Sequence, residues 1–154
     1  MVDTKTIVLI EDNISDVELT LRAFGKAQLN NEVVVCEDGL IALDYLFGRG
    51  DYSERDIRQV PALILLDLKL PKVEGLDVLR QIKADKASRR IPIVILTSSS
   101  EERDIAECYD IGINSFIRKP IDFEQFVDVV TLLGKYWLNI NEPPPFYFEG
   151  LLIQ

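Results

Sequence analysis

Leu63-Ile64-Leu65-Leu66-Asp67-Leu68-Lys69-Leu70-Pro71 is the stretch that decides the fold of this chain. An apolar run that begins at Pro61 and carries no charge until Asp67 is typical of a strand buried on both faces of a sheet. Because burial of an unpaired carboxylate is costly, we expect Asp67 either at the open carboxyl end of the sheet or beside a partner there. An aspartate that merely caps the following turn is the alternative.

The length and composition indicate a single globular domain. The chain has 154 residues, of which 47 % are hydrophobic, and it carries a net charge of −9. Such a chain lacks the basic charge that supplies most of the affinity for nucleic acids and for anionic membranes. No apolar run reaches the length of a membrane span, and no signal peptide opens the chain. We therefore expect a cytoplasmic protein that binds neither nucleic acid nor membrane.

Cysteine and histidine content narrows the chemistry. Cys36 and Cys108 lie in separate segments, and we expect reduced core residues rather than a disulfide. The chain has no histidine. This excludes histidine-based nucleophilic catalysis, histidine metal ligands and a phosphohistidine on this chain.

Apolar runs alternate with segments of helical spacing five times along the chain. We predict strands over residues 6–10, 32–36, 62–67, 92–97 and 114–118, each followed by a helix, and a long polar loop over residues 48–59. Such alternation is typical of an α/β protein in which helices cover both faces of a parallel sheet. The doubly wound, flavodoxin-like strand order 2-1-3-4-5 would place a ligand-binding switch point between strands 1 and 3.

Polar residues lie at the carboxyl ends of four of the predicted strands. Glu11 and Asp12 lie at the end of the first strand, Asp67 of the third, Thr97 of the fourth and Lys119 of the fifth. In the order 2-1-3-4-5 these strands are consecutive neighbours, so the five residues should line one edge of the sheet. Each alone could be a helix cap or a solvated loop residue, but together they predict a site.

The residue types in this site indicate phosphoryl chemistry. Clustered carboxylates repel one another unless a cation lies between them, and an all-oxygen ligand set suits Mg²⁺. A metal ion and the Lys119 ammonium would neutralise the oxygens of a transferring phosphoryl group, to which Thr97 could donate a hydrogen bond. Asp67 would then be a carboxylate nucleophile that forms an acyl phosphate.

The same motifs resemble the receiver domain of bacterial two-component response regulators. The matching residues are Glu11-Asp12, Asp67 with Pro71 and Gly75 after it, Thr97-Ser98 and Lys119-Pro120, and the resemblance covers about residues 5–138. We divide the chain accordingly into a receiver domain, residues 1–140, and a tail, residues 141–154, and expect no output domain. The loop before strand 3, the segment over residues 91–97 and the aromatic tail make the chain look like the single-domain regulators that partner phytochrome-type histidine kinases.

The resemblance implies a phosphoacceptor in a phosphorelay, which takes a phosphoryl group from a partner histidine kinase and switches conformation. Such a domain catalyses its own phosphotransfer and dephosphorylation and is not otherwise an enzyme. The implied roles are Asp67 as the phosphoacceptor, Asp12, Asp67 and the Lys69 backbone carbonyl as Mg²⁺ ligands, Glu11 as a ligand through water, Lys119 as the phosphoryl-binding residue, and Thr97 and Phe116 as switch residues.

Three details of the family pattern bear on this chain. Phe116 lacks the hydroxyl that a tyrosine would offer at the switch position, and Lys69 places a cation beside the phosphoryl site. The Lys119–Pro120 peptide bond is expected to be cis, as in the family.

Three other functions are compatible with parts of this pattern. A flavin-binding protein of the same architecture needs a phosphate-binding loop after strand 1, where Glu11-Asp12 would repel the phosphate. A phosphatase with an aspartyl nucleophile resembles Asp-x-Asp-x-Thr, but the second acid is missing after Asp67. An unphosphorylated scaffold of the same fold is the third alternative.

The end of the chain is unusually apolar. The last predicted helix continues into Tyr136-Trp137-Leu138, and the tail adds Phe146-Tyr147-Phe148 and Leu151-Leu152-Ile153. That is more apolar surface than a monomer usually exposes, so we predict a symmetric homodimer through the final strand, the final helix and the tail. The alternative is a tail that folds back on its own domain or stays disordered.

Overall fold

The computed structural model describes residues 6–99, 101–148 and 151–153. Five parallel strands form its main sheet: β1 (Ile7–Ile10), β2 (Val33–Cys36), β3 (Leu63–Leu66), β4 (Ile93–Thr97) and β5 (Ser115–Arg118). Their order is β2-β1-β3-β4-β5, which confirms the predicted doubly wound arrangement. Each strand begins one residue after its predicted start.

Five helices, one after each strand, cover both faces of the sheet. They are α1 (Ile14–Lys26), α2 (Gly39–Phe47), α3 (Gly75–Ala84), α4 (Glu102–Ile111) and α5 (Phe123–Lys135). In β1, Ile7 and Leu9 pack with α1 and α5 on one face, whereas Val8 and Ile10 pack with α2 and α3 on the other. All four side chains are buried. This two-sided burial explains why the central strands are continuous apolar runs in the sequence.

Both cysteines are buried free thiols, as predicted. Burial, reinforced by the charge of Asp38, raises the pKa of the Cys36 thiol to about 12. Burial likewise raises the pKa of Cys108 to about 11. Both thiols therefore stay protonated at neutral pH and behave as small apolar core residues.

The polar loop before β3 is more ordered than its sequence indicated. It contains a short 3-10 turn (Gly50–Tyr52). The Arg55 guanidinium lies 4.0 Å from the centroid of the Tyr45 ring and donates from Nη2 to the Gln59 carbonyl at 2.7 Å. Gly48 ends α2 with a φ of 65°, a left-handed conformation that favours glycine. These contacts hold the loop against α2.

Three further elements follow α5, where the sequence predicted only a continuation of the helix and a tail. A π-helical turn (Tyr136–Ile140) follows the helix directly. The short strands β6 (Phe146–Phe148) and β7 (Leu151–Ile153) then pair antiparallel in a separate sheet. Arg90, before β4, donates from Nη1 to the Pro145 carbonyl at 3.1 Å. None of the described helices is both long and apolar enough to cross a bilayer.

The prediction of a cis Lys119–Pro120 bond is wrong. No peptide bond among the described residues is cis. Trans is the isomer that an X–Pro bond prefers by about 0.5–1 kcal/mol when nothing else decides.

Candidate functional site

Asp67 lies directly after β3, at the carboxyl edge of the sheet. Its N–H donates to the Ile10 carbonyl in β1 at 3.1 Å, and its side chain is 7 % exposed. Behind it the chain returns so closely that a Cβ on Gly75 would lie 2.5 Å from the Asp67 carbonyl oxygen and from the Leu68 Cα. Only glycine lets α3 begin at this distance from the loop that carries Asp67.

The ammonium group of Lys119 lies at the centre of the polar cluster. Its Nζ is 2.6 Å from Glu11 Oε1, 2.8 Å from Asp67 Oδ2 and 2.8 Å from Asp16 Oδ2. The Lys119 backbone N–H donates to the Thr97 carbonyl at 2.7 Å, which fixes the residue beside the end of β4. The structure thus brings Glu11, Asp67, Thr97 and Lys119 together, as the strand order predicted.

Asp16 is the member of this cluster that sequence reasoning missed. It lies in the first turn of α1, where its N–H donates to the Asn13 side chain at 3.1 Å. The Asn13 N–H donates in turn to Glu11 Oε2 at 3.1 Å. The available signal was an acid four positions after Asp12, but an acid in a first turn is also the ordinary complement of the helix dipole.

The other oxygen of Asp67 is held by Thr97 and Lys69. The buried Thr97 hydroxyl donates to Asp67 Oδ1 at 2.7 Å. The Lys69 backbone N–H donates to the same oxygen at 3.2 Å, whereas the Lys69 side chain is exposed. Donors therefore converge on both carboxylate oxygens. Each donor could bond instead to an anionic oxygen of a group attached to Asp67.

Three of the predicted residues can share a cation. Carboxylate oxygens of Glu11, Asp12 and Asp67 lie within 4.8 Å of one another. Glu11 and Asp67 are buried, and Asp12 is exposed at the mouth of the site. Hard oxygen ligands at this spacing fit a Mg²⁺ ion, which keeps several waters and takes one or two carboxylates from the protein.

The charges in the cluster hold Asp67 ionised. Burial would raise the pKa of Asp67, but the hydrogen bonds from Lys119 and Thr97 outweigh it, and the pKa lies below its ordinary value. Burial would lower the pKa of Lys119, yet its bonds to Asp16, Asp67 and Glu11 raise it well above the ordinary value. At neutral pH an anionic carboxylate therefore faces a fixed cation.

Protonation of Glu11 relieves the excess negative charge of the cluster. Three carboxylates surround one ammonium, so the charges do not balance. Burial, with the neighbouring charge of Asp67, raises the pKa of Glu11 to about 7 against the opposing effect of Lys119. A divalent cation bound at Glu11, Asp12 and Asp67 would restore the ionised form of Glu11.

Phe116 lies outside this polar cluster. It pairs with Ile95 in the ladder between β4 and β5. Its half-buried side chain packs against the apolar cluster on the α2–α4 face. The position is three residues before Lys119 and on the face that α4 covers.

Comparison with known proteins identifies the family. A family model described as the response regulator receiver domain matches residues 7–131. The probable methanogenesis regulatory protein FilR2 of Methanothrix harundinacea is 39 % identical over 92 % of this chain and 89 % of its own length.

Solved structures of similar proteins have the same fold. The crystal structure of the Mn²⁺-bound response regulator Rcp1, a protein of Synechocystis, has a TM-score of 0.85 at 33 % identity, and the match covers 91 % of this chain and 99 % of that one. The phosphorylated cyanobacterial phytochrome response regulator RcpA has a TM-score of 0.85 at 38 % identity, over 92 % and 99 % of the two chains. This chain is therefore similar throughout its described core to proteins whose structures hold a metal ion or a phosphoryl group.

Proposed function

Because this chain belongs to the response regulator receiver domain family, we propose that Asp67 is its phosphoacceptor and that a partner histidine kinase supplies the phosphoryl group. The observation that carries the assignment is the convergence of Lys119 and Thr97 on the two oxygens of Asp67. Of the three carboxylates around Lys119, Asp67 is the one that the Thr97 hydroxyl also holds.

The proposed reaction is an in-line transfer from phosphohistidine to Asp67. An Asp67 oxygen forms a bond to phosphorus while the N–P bond breaks and its electron pair remains on the imidazole of the kinase. The attacking oxygen must first lose its donor, either Lys119 at Oδ2 or Thr97 at Oδ1. Lys119 and Thr97 then donate hydrogen bonds to the phosphoryl oxygens, and for this the Thr97 side chain has to move. That movement would start the conformational switch, with Phe116 as its second residue.

The metal in this proposal is Mg²⁺. Asp12 and Asp67 would hold it directly, together with the Lys69 carbonyl, and Glu11 would hold it through water. When bound, the ion neutralises negative charge on the phosphoryl oxygens. The close spacing of the Glu11, Asp12 and Asp67 oxygens supports this ligand set, and the related Rcp1 binds Mn²⁺, another divalent ion.

The domain would catalyse its own phosphorylation and dephosphorylation and would act on no separate substrate. The experiment is incubation with acetyl phosphate, with Mg²⁺ or with EDTA, followed by location of the added mass. We expect one phosphoryl group, on Asp67, in the Mg²⁺ sample alone. Steady turnover of phosphate esters without a labelled intermediate on Asp67 would instead support a phosphatase.

Three exposed apolar side chains lie close in sequence to residues of the polar cluster and support a kinase-binding surface there. Ile14, at the start of α1, is 72 % exposed, Ile121, in the loop after β5, is 99 % exposed, and Phe123, at the start of α5, is 72 % exposed. Exposed apolar groups that border a polar site are typical of protein–protein contact surfaces. We propose a cytoplasmic, phytochrome-type histidine kinase as the partner, which the likeness to RcpA supports.

Substitution of Ile121 should slow phosphotransfer from the kinase but not phosphorylation by acetyl phosphate. Ile121→Asp should lower the rate of transfer from a phosphorylated phytochrome-type kinase roughly ten-fold or more, since loss of an interface anchor costs about 1–2 kcal/mol or more. The rate with acetyl phosphate should stay within about two-fold of the parent, because Ile121 is outside the cluster that holds Asp67. Ile57→Asp, at an exposed isoleucine in the loop before β3, is the control. Equal loss with both donors would contradict the assignment of this surface.

The tail is proposed to belong to a homodimer interface. An isolated two-stranded ribbon is marginal in water, and the residues of β6 and β7 are all apolar or aromatic. We propose that residues 1–140 form the receiver domain and that residues 141–154 add contacts between two copies, beside α5 and β5. Sedimentation should give a dimer for the full chain and a weaker dimer, by roughly ten-fold or more in Kd, for a chain that ends at Asn139. A monomer at micromolar concentration, with and without a phosphate mimic, would refute the dimer.

A further inference from the structure

The Lys119 ammonium already has as many acceptors as it has donors. It carries three N–H groups, and three carboxylate oxygens lie within 2.8 Å of its Nζ, one each from Glu11, Asp16 and Asp67. The Lys119 side chain is 10 % exposed, so water contributes little to its solvation. A phosphoryl oxygen that binds to Lys119 must therefore displace one of these carboxylates from the ammonium.

Phosphorylation affects the three acceptors differently. Formation of the acyl phosphate removes the negative charge of the Asp67 carboxylate itself. Among the described residues, the carboxylates close enough to share a cation are Glu11, Asp12 and Asp67, so a bound metal ion would offer Glu11 a second partner. The charge of Asp16 is unchanged by the reaction, and Lys119 is the cation with which it pairs. Asp16 is therefore the carboxylate that competes with a phosphoryl group for Lys119.

The backbone on either side of the Asp16 side chain is fixed. Asp16 lies in the first turn of α1, where its N–H donates to the Asn13 side chain at 3.1 Å. Its carbonyl accepts from the buried Thr20 hydroxyl at 2.7 Å. The positive end of the helix dipole also favours a negative charge at this position. We therefore expect the Asp16 carboxylate to stay beside Lys119 Nζ when a phosphoryl group binds.

The site has no surplus positive charge for the phosphoryl group. A divalent ion and the Lys119 ammonium would together balance the carboxylates of Glu11, Asp12 and Asp67. Asp16 adds one negative charge beyond this balance, and replacement of the Asp67 carboxylate by a doubly charged acyl phosphate adds another. Like charges in a partly desolvated site repel each other. The Asp16 charge should accordingly make the phosphorylated state less favourable than it would be without Asp16.

We propose that Asp16 competes with the phosphoryl group for the Lys119 ammonium and so limits how tightly the site holds a phosphoryl group. Asp16 is a positioning residue, because it acts through Lys119 and not on the reacting atoms. The inference rests on the role proposed for Lys119 in the preceding subsection. The property of Asp16 that matters is its charge rather than its capacity to accept a hydrogen bond.

The test measures the affinity of the full chain for beryllium trifluoride, a phosphate mimic, by titration of backbone amide resonances at saturating Mg²⁺. Asp16→Asn should bind the mimic roughly five- to ten-fold more tightly than the parent, because Lys119 then faces one anion fewer. Asp16→Ala, which also removes the acceptor, should agree with Asp16→Asn within about two-fold, since both remove the same charge. Glu18→Gln, at an exposed acid of α1, is the matched control and should bind the mimic like the parent.

The affinity for Mg²⁺ alone separates competition for Lys119 from a merely structural role. Loss of a negative charge should leave Mg²⁺ affinity unchanged or lower it by up to about three-fold, whereas a disordered site would bind both metal and mimic more weakly. Unchanged or weaker binding of the mimic by Asp16→Asn, or equally tighter binding by Glu18→Gln, would overturn the proposal while leaving the phosphoacceptor role intact. If the parent does not bind the mimic, or if Asp67→Asn binds it equally well, the proposed function fails and this inference with it.

Discussion

Asp67→Asn is expected to abolish acyl phosphate formation completely. The amide that replaces the carboxylate has no anionic oxygen and is not a comparable nucleophile. The fold should survive, because the asparagine oxygen can still accept a hydrogen bond from Thr97. Lys119 keeps Glu11 and Asp16 as partners, and loss of one of the three carboxylates around it lowers the mutual repulsion in the cluster. Mass measurement after treatment with acetyl phosphate and Mg²⁺ should show no added phosphoryl group.

Two companion variants make this result specific. Asp110→Asn removes an exposed acid of α4 and should be phosphorylated like the parent. Asp12→Ala should keep Asp67 but bind Mg²⁺ much more weakly, and so should be phosphorylated only at raised metal concentration. A stable phosphoryl group on another residue of the Asp67→Asn variant would mean that the acceptor has been assigned wrongly.

The core of the fold and most of the site were predictable because both follow from one pattern. A strand buried on two faces needs a continuous apolar run, and the first polar residue after it must lie at the edge of the sheet. Once the strand order brings β1, β3, β4 and β5 together, Glu11, Asp67, Thr97 and Lys119 have to be neighbours. Their proximity could be predicted without knowledge of the helices.

Features that depend on how the helices pack could not be predicted in this way. Asp16 and Lys119 are 103 residues apart, and only the orientation of α1, set by the Asn13 cap, points Asp16 inward. The hydrogen bond from the Ser99 hydroxyl to Asp104 likewise depends on where α4 begins, which is Glu102. The π-helical turn after α5 follows from a local choice of hydrogen bonds, which the apolar pattern of Tyr136–Ile140 does not specify.

Removal of the Lys119 ammonium should have the second large effect. Lys119→Ala leaves Glu11, Asp16 and Asp67 without their common cation, and removal of one partner from a buried ion pair costs about 3–5 kcal/mol. Lys119 itself holds its proton throughout the accessible range, since its pKa is raised. The pH dependence therefore comes from the carboxylates that it stabilises.

The direction in which stability changes with pH follows from the pKa of Asp67. In the parent, the pKa of Asp67 is lower in the folded than in the unfolded protein. Ionised Asp67 therefore stabilises the fold at a pH above the ordinary carboxyl pKa, and this stability is lost as the pH falls through the lowered pKa. Without Lys119 the pKa of Asp67 rises, and the variant should lose stability as the pH increases. The Lys119→Ala deficit, measured by urea unfolding in EDTA, should accordingly be larger at pH 8 than at pH 5.

Lys119→Ala should also uncouple Mg²⁺ binding from the conformational switch. The Mg²⁺ ligands remain, so metal affinity should not fall, whereas beryllium trifluoride should no longer shift the amide resonances of Phe116 and α4. Lys86→Ala, at an exposed lysine, is the matched control and should change neither stability nor these shifts. If Lys119→Ala is as stable as the parent at pH 8, the cluster does not depend on its cation. If beryllium trifluoride still shifts the amide resonances of Phe116 and α4, Lys119 is not the residue that couples the phosphoryl group to the conformational switch.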